Sequence, residues 1–374
     1  MRTRPIALLL GAALALTACG TEEIEPVPEI PEAPADAEGP TEEADDVEEA
    51  PAGEAVTLRL LTHDSFNVST EVMEAFEAES GINVEVLPSG DAGTTLNQAI
   101  LTQDSPQGDL LFGVDTTFLS RALDEELFQP YSSPRLEAVD TAYQLDPDHR
   151  VTPIDVGDVC LNYDVAWFDA NDVPIPGDLD ELTGEAYEGL LAVMNPATSS
   201  PGLAFLLATI ERFGEDGYLD FWEQLRENDV VVTDGWSEGY YDQFSAAGGG
   251  DRPLVVSYAS SPPAEVYYAE EELDGAPTGV IEASCFRQIE FVGILATTEH
   301  PDEAQQLVDF MLSTTFQEDI PLQMFVFPVV DDAELPEVFV EHAELPEDPF
   351  ELDPFVIGEN RETWIDEWTR TVLR

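Results

Sequence analysis

The chain has 374 residues, with 79 acidic and 13 basic side chains and a formal net charge of −66. Such an acidic protein repels phosphate backbones, which excludes nucleic acid as a partner. The charge favours cationic ligands only weakly, because physiological salt screens exposed charges beyond about 8 Å. Our hypothesis for the acidic excess is adaptation to a saline exterior.

The first 54 residues are predicted to lie outside the folded part of the chain. Residues 1–19 combine Arg2 and Arg4 with a short apolar run that ends in Leu-Thr-Ala-Cys, which is typical of a secretory signal peptide. The last four letters resemble a bacterial lipobox, so Cys19 is predicted to carry a lipid; an ordinary signal peptide with an incidental cysteine is the alternative. Residues 20–54 are acidic and proline-rich without aromatic residues, and we predict a disordered tether. The remaining 320 or so residues suit two lobes better than one small core.

Strands and helices alternate in the first part of the domain, which predicts a parallel sheet with helical crossovers. The pattern predicts strands at 56–61, 82–87 and 109–113 and helices at 69–80 and 94–102.

Two long runs, 151–163 and 279–296, have no helical periodicity and are predicted to cross between two lobes. The fold class is therefore α/β with two lobes, each a mixed sheet flanked by helices, and a cleft between them. Lobe 1 is predicted to comprise residues 55–155 and 285–325, and lobe 2 residues 156–284 and 326–374. Further strands are predicted at 190–194, 230–233 and 254–258, helices at 203–213, 218–227, 302–313 and 362–373, and a segment near the hinge at 325–330.

Three strand-to-helix turns have the same pattern and are predicted to form one wall of the cleft. They are MNPATSSPGL (194–203), VVVTDGWSEGYY (230–241) and VVSYASSPPA (255–264). Ligands of open α/β sheets are held at such strand ends. The wall would bind a small, flat, cationic ligand with a polar or phosphorylated tail.

Several side chains, in these turns and elsewhere, are predicted to contact the ligand. Trp236 and Tyr258 would attract a cation through their ring faces, and Asp64 or Asp115 would neutralise its charge. Serines at a helix start are either plain N-caps or, with free backbone N–H groups, an anion site. The serines in question are Ser199, Ser200, Ser260 and Ser261.

The sequence also contains features of two other functions, a serine hydrolase and a ferric-iron-binding protein. Gly235–Gly239 matches G-x-S-x-G, which makes Ser237 a candidate hydrolase nucleophile with His300 or His342 as partner. No oxyanion-hole segment lies upstream, and five-residue matches are common by chance. The pairs Tyr240-Tyr241 and Tyr267-Tyr268 could hold ferric iron, but adjacent side chains on a helix point about 100° apart. No phosphate loop, dinucleotide motif or His/Cys metal spacing is present, so we expect no cofactor, no metal and no enzymatic activity.

Two cysteines, Cys160 and Cys285, lie in strand-like runs of a domain predicted to be exported. Such a pair usually forms a disulfide, so a bridge is predicted; two buried free thiols are the alternative.

From about residue 58 to residue 374 the sequence resembles the periplasmic thiamine-binding proteins, the substrate-binding components of thiamine ABC transporters. The resemblance is strongest in GWSE followed by SY-x-x-SP. The matching stretches, in the family's order, are THDSF (62–66), GVDTT (113–117), NPATSSPGL (195–203), TDGWSE (233–238), SYASSP (257–262), AQQLVDFMLS (304–313) and WIDEWTR (364–370).

The resemblance implies a type II periplasmic-binding fold and a set of ligand positions. At three positions where the family has an aromatic residue, this chain has His63, Phe325 and Ala264, and Phe325 stays in the predicted site. The ligand positions that carry over are Asp115, Thr116, Ser199, Ser200, Trp236, Tyr258, Ala259, Ser260 and Ser261.

These implications define the expected function. The protein would be a monomeric receptor outside the cytoplasm, tethered to the membrane only by its N-terminal lipid. It would bind thiamine or thiamine phosphates, with the serine turns taking the phosphate, and deliver them to an ABC permease.

Overall fold

The computed structural model describes residues 55–271, 273–343 and 345–374. The predicted signal peptide with Cys19 and the predicted tether (20–54) lie outside these residues. Within them, no helix has both the length and the hydrophobicity to cross a membrane.

The first sheet contains seven strands in the order β12-β5-β11-β3-β1-β2, with β4 paired to β11. β1 is parallel to β2 and β3, as the alternation of strands and helices predicts, while β11 runs antiparallel to β3 and β5. Its strands are β1 Thr57–Thr62, β2 Asn83–Pro88, β3 Leu110–Asp115, β4 Phe128–Gln129, β5 Thr152–Val156, β11 Ile289–Leu295 and β12 Phe327–Pro328.

The second sheet contains five strands in the order β10-β6-β9-β7-β8. β7 is parallel to β8 and β9, and β6 is antiparallel to β9 and β10. Both sheets are therefore mixed, which confirms the predicted fold class. The strands are β6 Val159–Asp164, β7 Leu191–Met194, β8 Val231–Thr233, β9 Leu254–Tyr258 and β10 Thr278–Phe286. We call each sheet with its helices a lobe.

Helices cover the sheets. They are α1 Thr70–Ser80, α2 Ala92–Leu101, α3 Leu119–Asp124, α4 Val165–Asn171, α5 Ser200–Phe213, α6 Tyr218–Glu227, α7 Ser261–Tyr267, α8 Pro301–Met311, α9 Thr314–Gln317, α10 Ile320–Gln323, α11 Glu337–His342 and α12 Pro354–Val372.

The last helix, α12, begins earlier than the predicted 362–373. Asp353 accepts a hydrogen bond from the N–H of Phe355 and Pro354 occupies the first turn, so a capped start precedes the apolar stripe that the sequence shows. Trp364 and Trp368 are buried, as expected of a core stripe, and Trp368 packs edge-on against Trp222 of α6. The helix packs against both α3 and α6, so it joins the two lobes.

Each predicted crossing is two strands rather than one. The run 151–163 divides into β5 and β6, and the run 279–296 divides into β10 and β11. The break between β5 and β6 lies beside the break between β10 and β11. The N–H of Gly157 in the first donates to the carbonyl of Gln288 in the second at 2.9 Å. An ion pair between Arg287 and Asp158, with 2.8 Å between Nε and Oδ1, also links these two segments. We call residues 157–158 and 287–288 the hinge.

The pairing of β12 differs from the predicted assignment of residues 326–374 to lobe 2. Phe327–Pro328 pairs with β5 in the first sheet, because the outer edge of β5 offers unpaired backbone groups beside the hinge.

The structure contains a disulfide between Cys160 of β6 and Cys285 of β10, which are 125 residues apart in the sequence. The alternative of two free thiols does not apply to the structure.

Candidate functional site

A cavity of about 390 Å³ lies between the lobes, within the usual range of small-molecule sites, roughly 300–1,000 Å³. Strand ends and helix starts from both sheets line it. Its lining includes His63, Asp64, Asp91, Asp155 and Glu290 from lobe 1, Gln288 from the hinge, Ser200, Trp236, Tyr240, Tyr241, Tyr258, Ser260, Ser261, Ala264, Glu265 and Tyr268 from lobe 2, and Phe325 from the segment before β12.

Aromatic rings form one wall of this cavity. Trp236 follows the end of β8, and the residues after it form a short π-helix, Glu238–Gln243, where the sequence predicted an amphipathic helix. This helix places Tyr240 parallel to the indole, with 4.9 Å between ring centroids. Tyr258 lies 6.2 Å from the indole, and the indole N–H donates to Ser257 Oγ at 2.9 Å. The indole is therefore fixed in position before any ligand arrives.

Phe325 and Tyr268 form a second aromatic pair in the lining, with 5.3 Å between ring centroids. Phe325 has a positive φ of 54°, a conformation that is costly for a bulky residue, and its carbonyl accepts a hydrogen bond from the Ser260 hydroxyl. Tyr268 follows Ala264 by one helical turn, and it adds an aromatic ring where Ala264 itself contributes none.

Three carboxylates lie in a row across the first sheet. Glu290 on β11 is paired in register with Asp115 on β3 and with Asp155 on β5. Like charges directly opposite each other on neighbouring strands destabilise a sheet. The row is thus a local cost to stability that a positive charge would relieve.

Asp155 is the carboxylate in this row whose negative charge is least offset by neighbouring groups. Its side chain is fully buried and lines the cavity, and no described residue donates a hydrogen bond to its ionised carboxylate; it can bond to Glu290 only when one of the two acids carries a proton. Burial raises its pKa well above the ordinary value, and the negative charges of Glu290 and Asp115 raise it further. Without a cation beside it, Asp155 therefore keeps its proton to a higher pH than an exposed aspartate does.

Asp115, by contrast, is fully bonded and does not line the cavity. Its Oδ1 accepts from the N–H and hydroxyl of Thr117, and its Oδ2 accepts from Ser200 Oγ and, at 2.8 Å, from Gln288 Nε2. Burial raises its pKa to about 6, against the opposing effect of these hydrogen bonds. Asp115 of lobe 1 thus positions Ser200 of lobe 2, and it lies one layer behind the cavity surface.

His63 follows the end of β1 and packs against Gly113, where any Cβ would overlap the imidazole ring. Its Nδ1 accepts from the N–H of Ser65 at 3.2 Å, and its Nε2 lies 3.4 Å from Glu290 Oε1. Burial opposes the charged form, but the carboxylates of Glu290, Asp91 and Asp64 outweigh it and raise the pKa of His63.

The structure brings together most of the residues predicted for the site. Asp64, Ser200, Trp236, Tyr258, Ser260, Ser261 and Phe325 line the cavity. Asp115, Thr116, Ser199 and Ala259 do not: Thr116 bonds to the backbone of Ile289, Ala259 packs beside the disulfide, and Ser199 caps α5.

The role of Ser199 predicts a stability effect. Its hydroxyl accepts from the N–H of Gly202 at 3.3 Å, so Ser199→Ala is expected to lower the free energy of unfolding by about 1 kcal/mol. Urea denaturation measures this. Ser69→Ala is the matched control, because Ser69 precedes α1 without a capping hydrogen bond and its loss should change little. Equal losses in the two variants would contradict the capping role.

Asp155, Glu290, Gln288 and Tyr268 were not predicted as site residues. Asp155 and Glu290 had a visible signal, since each is an acid inside an otherwise apolar strand, and buried charges are rare unless they are paired or functional. Gln288 had none, because its approach to the cavity depends on the hinge, and Tyr268 had a signal only as half of a tyrosine pair considered for iron.

The serine hydrolase lacks support in the geometry, whereas Tyr240, Tyr241 and Tyr268 of the two tyrosine pairs do line the cavity. Neither Ser237 nor His300 nor His342 lines the cavity. Burial and the charge of Glu265 raise the pKa of Tyr240, which opposes the phenolate that iron binding needs. In the described parts of the chain, no three His, Cys, Asp or Glu side chains are grouped to hold a metal ion.

Two mixed sheets around a ligand-sized cleft are the architecture of solute-binding proteins of the periplasmic-binding class. The chain belongs to the bacterial extracellular solute-binding proteins, whose family model matches residues 105–346. This confirms the family resemblance that the sequence motifs indicated.

Relatives support this placement. The thiamine-binding periplasmic protein of Salmonella typhimurium is 30% identical over 329 residues, covering 87% of this chain and 96% of that protein. A solved periplasmic thiamin-binding protein superimposes with a TM-score of 0.74 at 26% identity, covering 86% of this chain and 98% of the other. A ferric-binding protein from Campylobacter jejuni shares the fold, with a TM-score of 0.69 at 19% identity, covering 84% of this chain and 99% of the other.

Proposed function

We propose that this solute-binding protein captures thiamine and delivers it to an ABC importer. Its relatives of similar length carry the name thiamine-binding, and the cleft has the chemistry that thiamine requires. Thiamine joins a flat, positively charged thiazolium to an aminopyrimidine, so it needs aromatic faces, a negative charge and hydrogen-bond acceptors.

The buried carboxylate of Asp155, which has no donor or cation beside it among the described residues when it is ionised, lies in a cavity whose wall carries Trp236, and this is the observation that carries the proposal. A cation over an indole or phenol face gains about 0.5–2 kcal/mol. A desolvated carboxylate beside the same cation adds a charge-charge attraction that is stronger than at an exposed surface. Together they favour a flat cation over a neutral aromatic of the same size.

The proposal extends to attachment and partners. Cys19 would be lipid-modified and would hold a monomeric domain at the outer face of the cytoplasmic membrane. A permease with its ATPase would then receive the ligand from the cleft when the lobes separate.

Tryptophan fluorescence tests the ligand directly. Titration with thiamine is expected to give a saturable change, because the ring would contact the Trp236 indole, whereas ferric citrate is expected to give neither a saturable change nor a phenolate-to-iron colour. Saturable binding of ferric citrate without thiamine binding would replace this function with iron transport.

The matched control for this titration is Trp167→Phe. Trp167 is half-buried like Trp236 but packs against Phe168 away from the cavity, so its removal should leave the thiamine response intact. If Trp167→Phe abolished the fluorescence change on thiamine addition, the signal would come from Trp167 and would not report binding in the cleft.

A further inference from the structure

Gln288 has a buried side-chain oxygen at the ligand cavity that lacks a partner. The side chain is only 3% exposed and lines the cavity, and its Oε1 accepts no hydrogen bond from the described residues. Burying an acceptor without a partner is unfavourable. An amide does not titrate, so this oxygen, unlike the carboxylate of Asp155, cannot acquire a partner by sharing a proton with a neighbouring acid. A ligand that donates a hydrogen bond at this position would satisfy it.

The orientation of the Gln288 amide is fixed by two acceptors. Its Nε2 donates to Asp115 Oδ2 at 2.8 Å and to Ser200 Oγ at 3.2 Å. The Ser200 hydroxyl gives its own proton to the same carboxylate, so both partners of Nε2 accept. Rotating the amide by half a turn would place Oε1 against these acceptors, which is unfavourable. Because Asp115 lies behind the cavity surface, the oxygen is the end of the amide that is turned toward the ligand.

The two groups that orient Gln288 belong to different lobes. Asp115 ends β3 of lobe 1 and Ser200 begins α5 of lobe 2, while Gln288 itself lies in the hinge. The direction of the acceptor is therefore set by contacts within the protein and does not depend on the ligand. A pre-positioned acceptor discriminates between ligands more sharply than a mobile one, since it cannot turn to suit a different group.

This acceptor lies next to the row of acids. Gln288 and Glu290 are two residues apart along extended chain, about 7 Å, and both line the cavity. Asp155 is paired with Glu290 on the neighbouring strand. The cavity thus places a neutral acceptor beside carboxylates. Thiamine has the matching arrangement, because a single methylene joins its positively charged thiazolium to a pyrimidine that carries an amino group next to this bridge.

We propose that Gln288 accepts a hydrogen bond from the exocyclic amino group of the ligand and thereby selects aminopyrimidines over oxopyrimidines. Asp115 acts through Gln288 as a positioning residue. The inference rests on the proposed function, since it assigns one contact within the same cleft. The contact lies at the pyrimidine end, which thiamine and its phosphate esters share, so it makes no distinction among them.

Calorimetric titration with thiamine and oxythiamine tests the recognition. Oxythiamine has an oxo group in place of the amino group, so two acceptors would face each other at Gln288. At pH 8, above the pKa of about 6 of Asp115, we expect oxythiamine to bind at least about 50-fold more weakly than thiamine. Pyrithiamine is the control, because it keeps the aminopyrimidine and a cationic ring, and it should bind within about tenfold of thiamine.

These titrations separate the inference from the proposed function. Equal binding of thiamine and oxythiamine would overturn the inference and leave the proposed function standing. Failure of all three compounds to bind would overturn the proposed function and the inference with it.

Gln288→Met and Gln317→Met distinguish recognition from a structural role. Each replaces a buried glutamine amide by a thioether of similar length. Gln317 lies outside the cavity lining, and its amide is bonded to the carbonyls of Ile154 and Met311 and to the N–H of Val329. Gln288→Met is expected to narrow the thiamine-to-oxythiamine affinity ratio at least tenfold. Gln317→Met should lower the melting temperature and leave the ratio within twofold.

An unchanged ratio in Gln288→Met would overturn the assignment. The selection would then lie with another acceptor of the lining, such as Glu265, which already accepts from the Tyr240 hydroxyl at 2.9 Å.

Asp115→Asn tests the orientation, and it remains informative if a Gln288 variant does not fold. The N–H and hydroxyl of Thr117 donate to Oδ1, so the new amide nitrogen should take the place of Oδ2 and donate toward Gln288. The Gln288 amide should then turn its N–H groups to the ligand and lower the thiamine-to-oxythiamine ratio at least tenfold. A merely structural role of Asp115 predicts weaker binding of both compounds at an unchanged ratio, and that result would overturn its positioning role.

Discussion

Trp236→Ala is expected to weaken thiamine binding by at least about 2 kcal/mol, or roughly 30-fold in the dissociation constant. The indole lines the cavity, stacks on Tyr240 and is fixed through its N–H to Ser257, so truncation removes a pre-positioned face. Calorimetry at constant salt measures the change. Trp236→Phe should fall between the wild type and alanine, because a ring remains while the anchoring N–H is lost.

Trp167→Ala is the matched control for this prediction. It removes a half-buried indole that lies outside the cavity, so the thiamine affinity should stay within twofold of the wild type. An unchanged affinity in Trp236→Ala would remove the indole from the site and with it the aromatic wall on which the proposed function depends.

Asp155→Asn is expected to weaken thiamine binding by about 1.5–3 kcal/mol at pH 8, the usual range for a hydrogen-bonded or paired charge. It should also diminish proton release on binding. In the free protein, burial and Glu290 raise the pKa of Asp155, so the residue keeps its proton to a higher pH than an ordinary aspartate. A bound cation favours the carboxylate and lowers that pKa, so wild-type affinity should rise as the pH increases from the ordinary value of 3.8 towards the raised one.

The stability of the free protein should fall as the pH rises, which is opposite to the expected change in thiamine affinity. Because the folded pKa of Asp155 is raised, folding favours the protonated acid, and stability is lost as the pH rises through the folded pKa. Asp155→Asn abolishes this loss, so its melting temperature should exceed that of the wild type at pH 8 and approach it at pH 4. A merely structural role would predict a lower melting temperature instead.

Calorimetry in buffers of different ionisation enthalpy counts the released protons. The other titrating groups near Asp155 are Glu290, Asp115 and His63, so some pH dependence should persist in the variant. Asp220→Asn, at an exposed position on α6, is the control and should change neither affinity nor proton release. Undiminished proton release in Asp155→Asn would contradict the assigned role.

The architecture could be predicted from the sequence because its signals are local. Strand and helix alternation, the Ser-Pro starts and the apolar stripe of α12 each depend on a few neighbouring residues. The hinge could not be predicted in the same way. The run 151–163 stays extended throughout, and Gly157-Asp158, where the chain changes sheets, is not distinguished by polarity from Asp155 two residues earlier.

The candidate site was predictable in part for a related reason. Turns after strands point to a cleft, so Trp236 and Tyr258 could be placed there from sequence order alone. Asp155 and Glu290 lie within strands rather than after them, and their proximity depends on the register between β5 and β11. Ser200 lies in the cavity lining, but its hydrogen-bond partner Asp115 comes from a distant segment of the chain.

The Cys160–Cys285 bridge has a mechanical consequence. It staples β6 to β10, the two strands that leave the hinge on the lobe 2 side, a few residues from where each chain segment turns. Neither strand can therefore swing independently, and bending is concentrated in the short connectors at 157–158 and 287–288. Opening of the cleft would then rotate one lobe against the other about these two adjacent connectors. The row of acids Asp115, Asp155 and Glu290 would move with lobe 1, and the Trp236 indole would move with lobe 2.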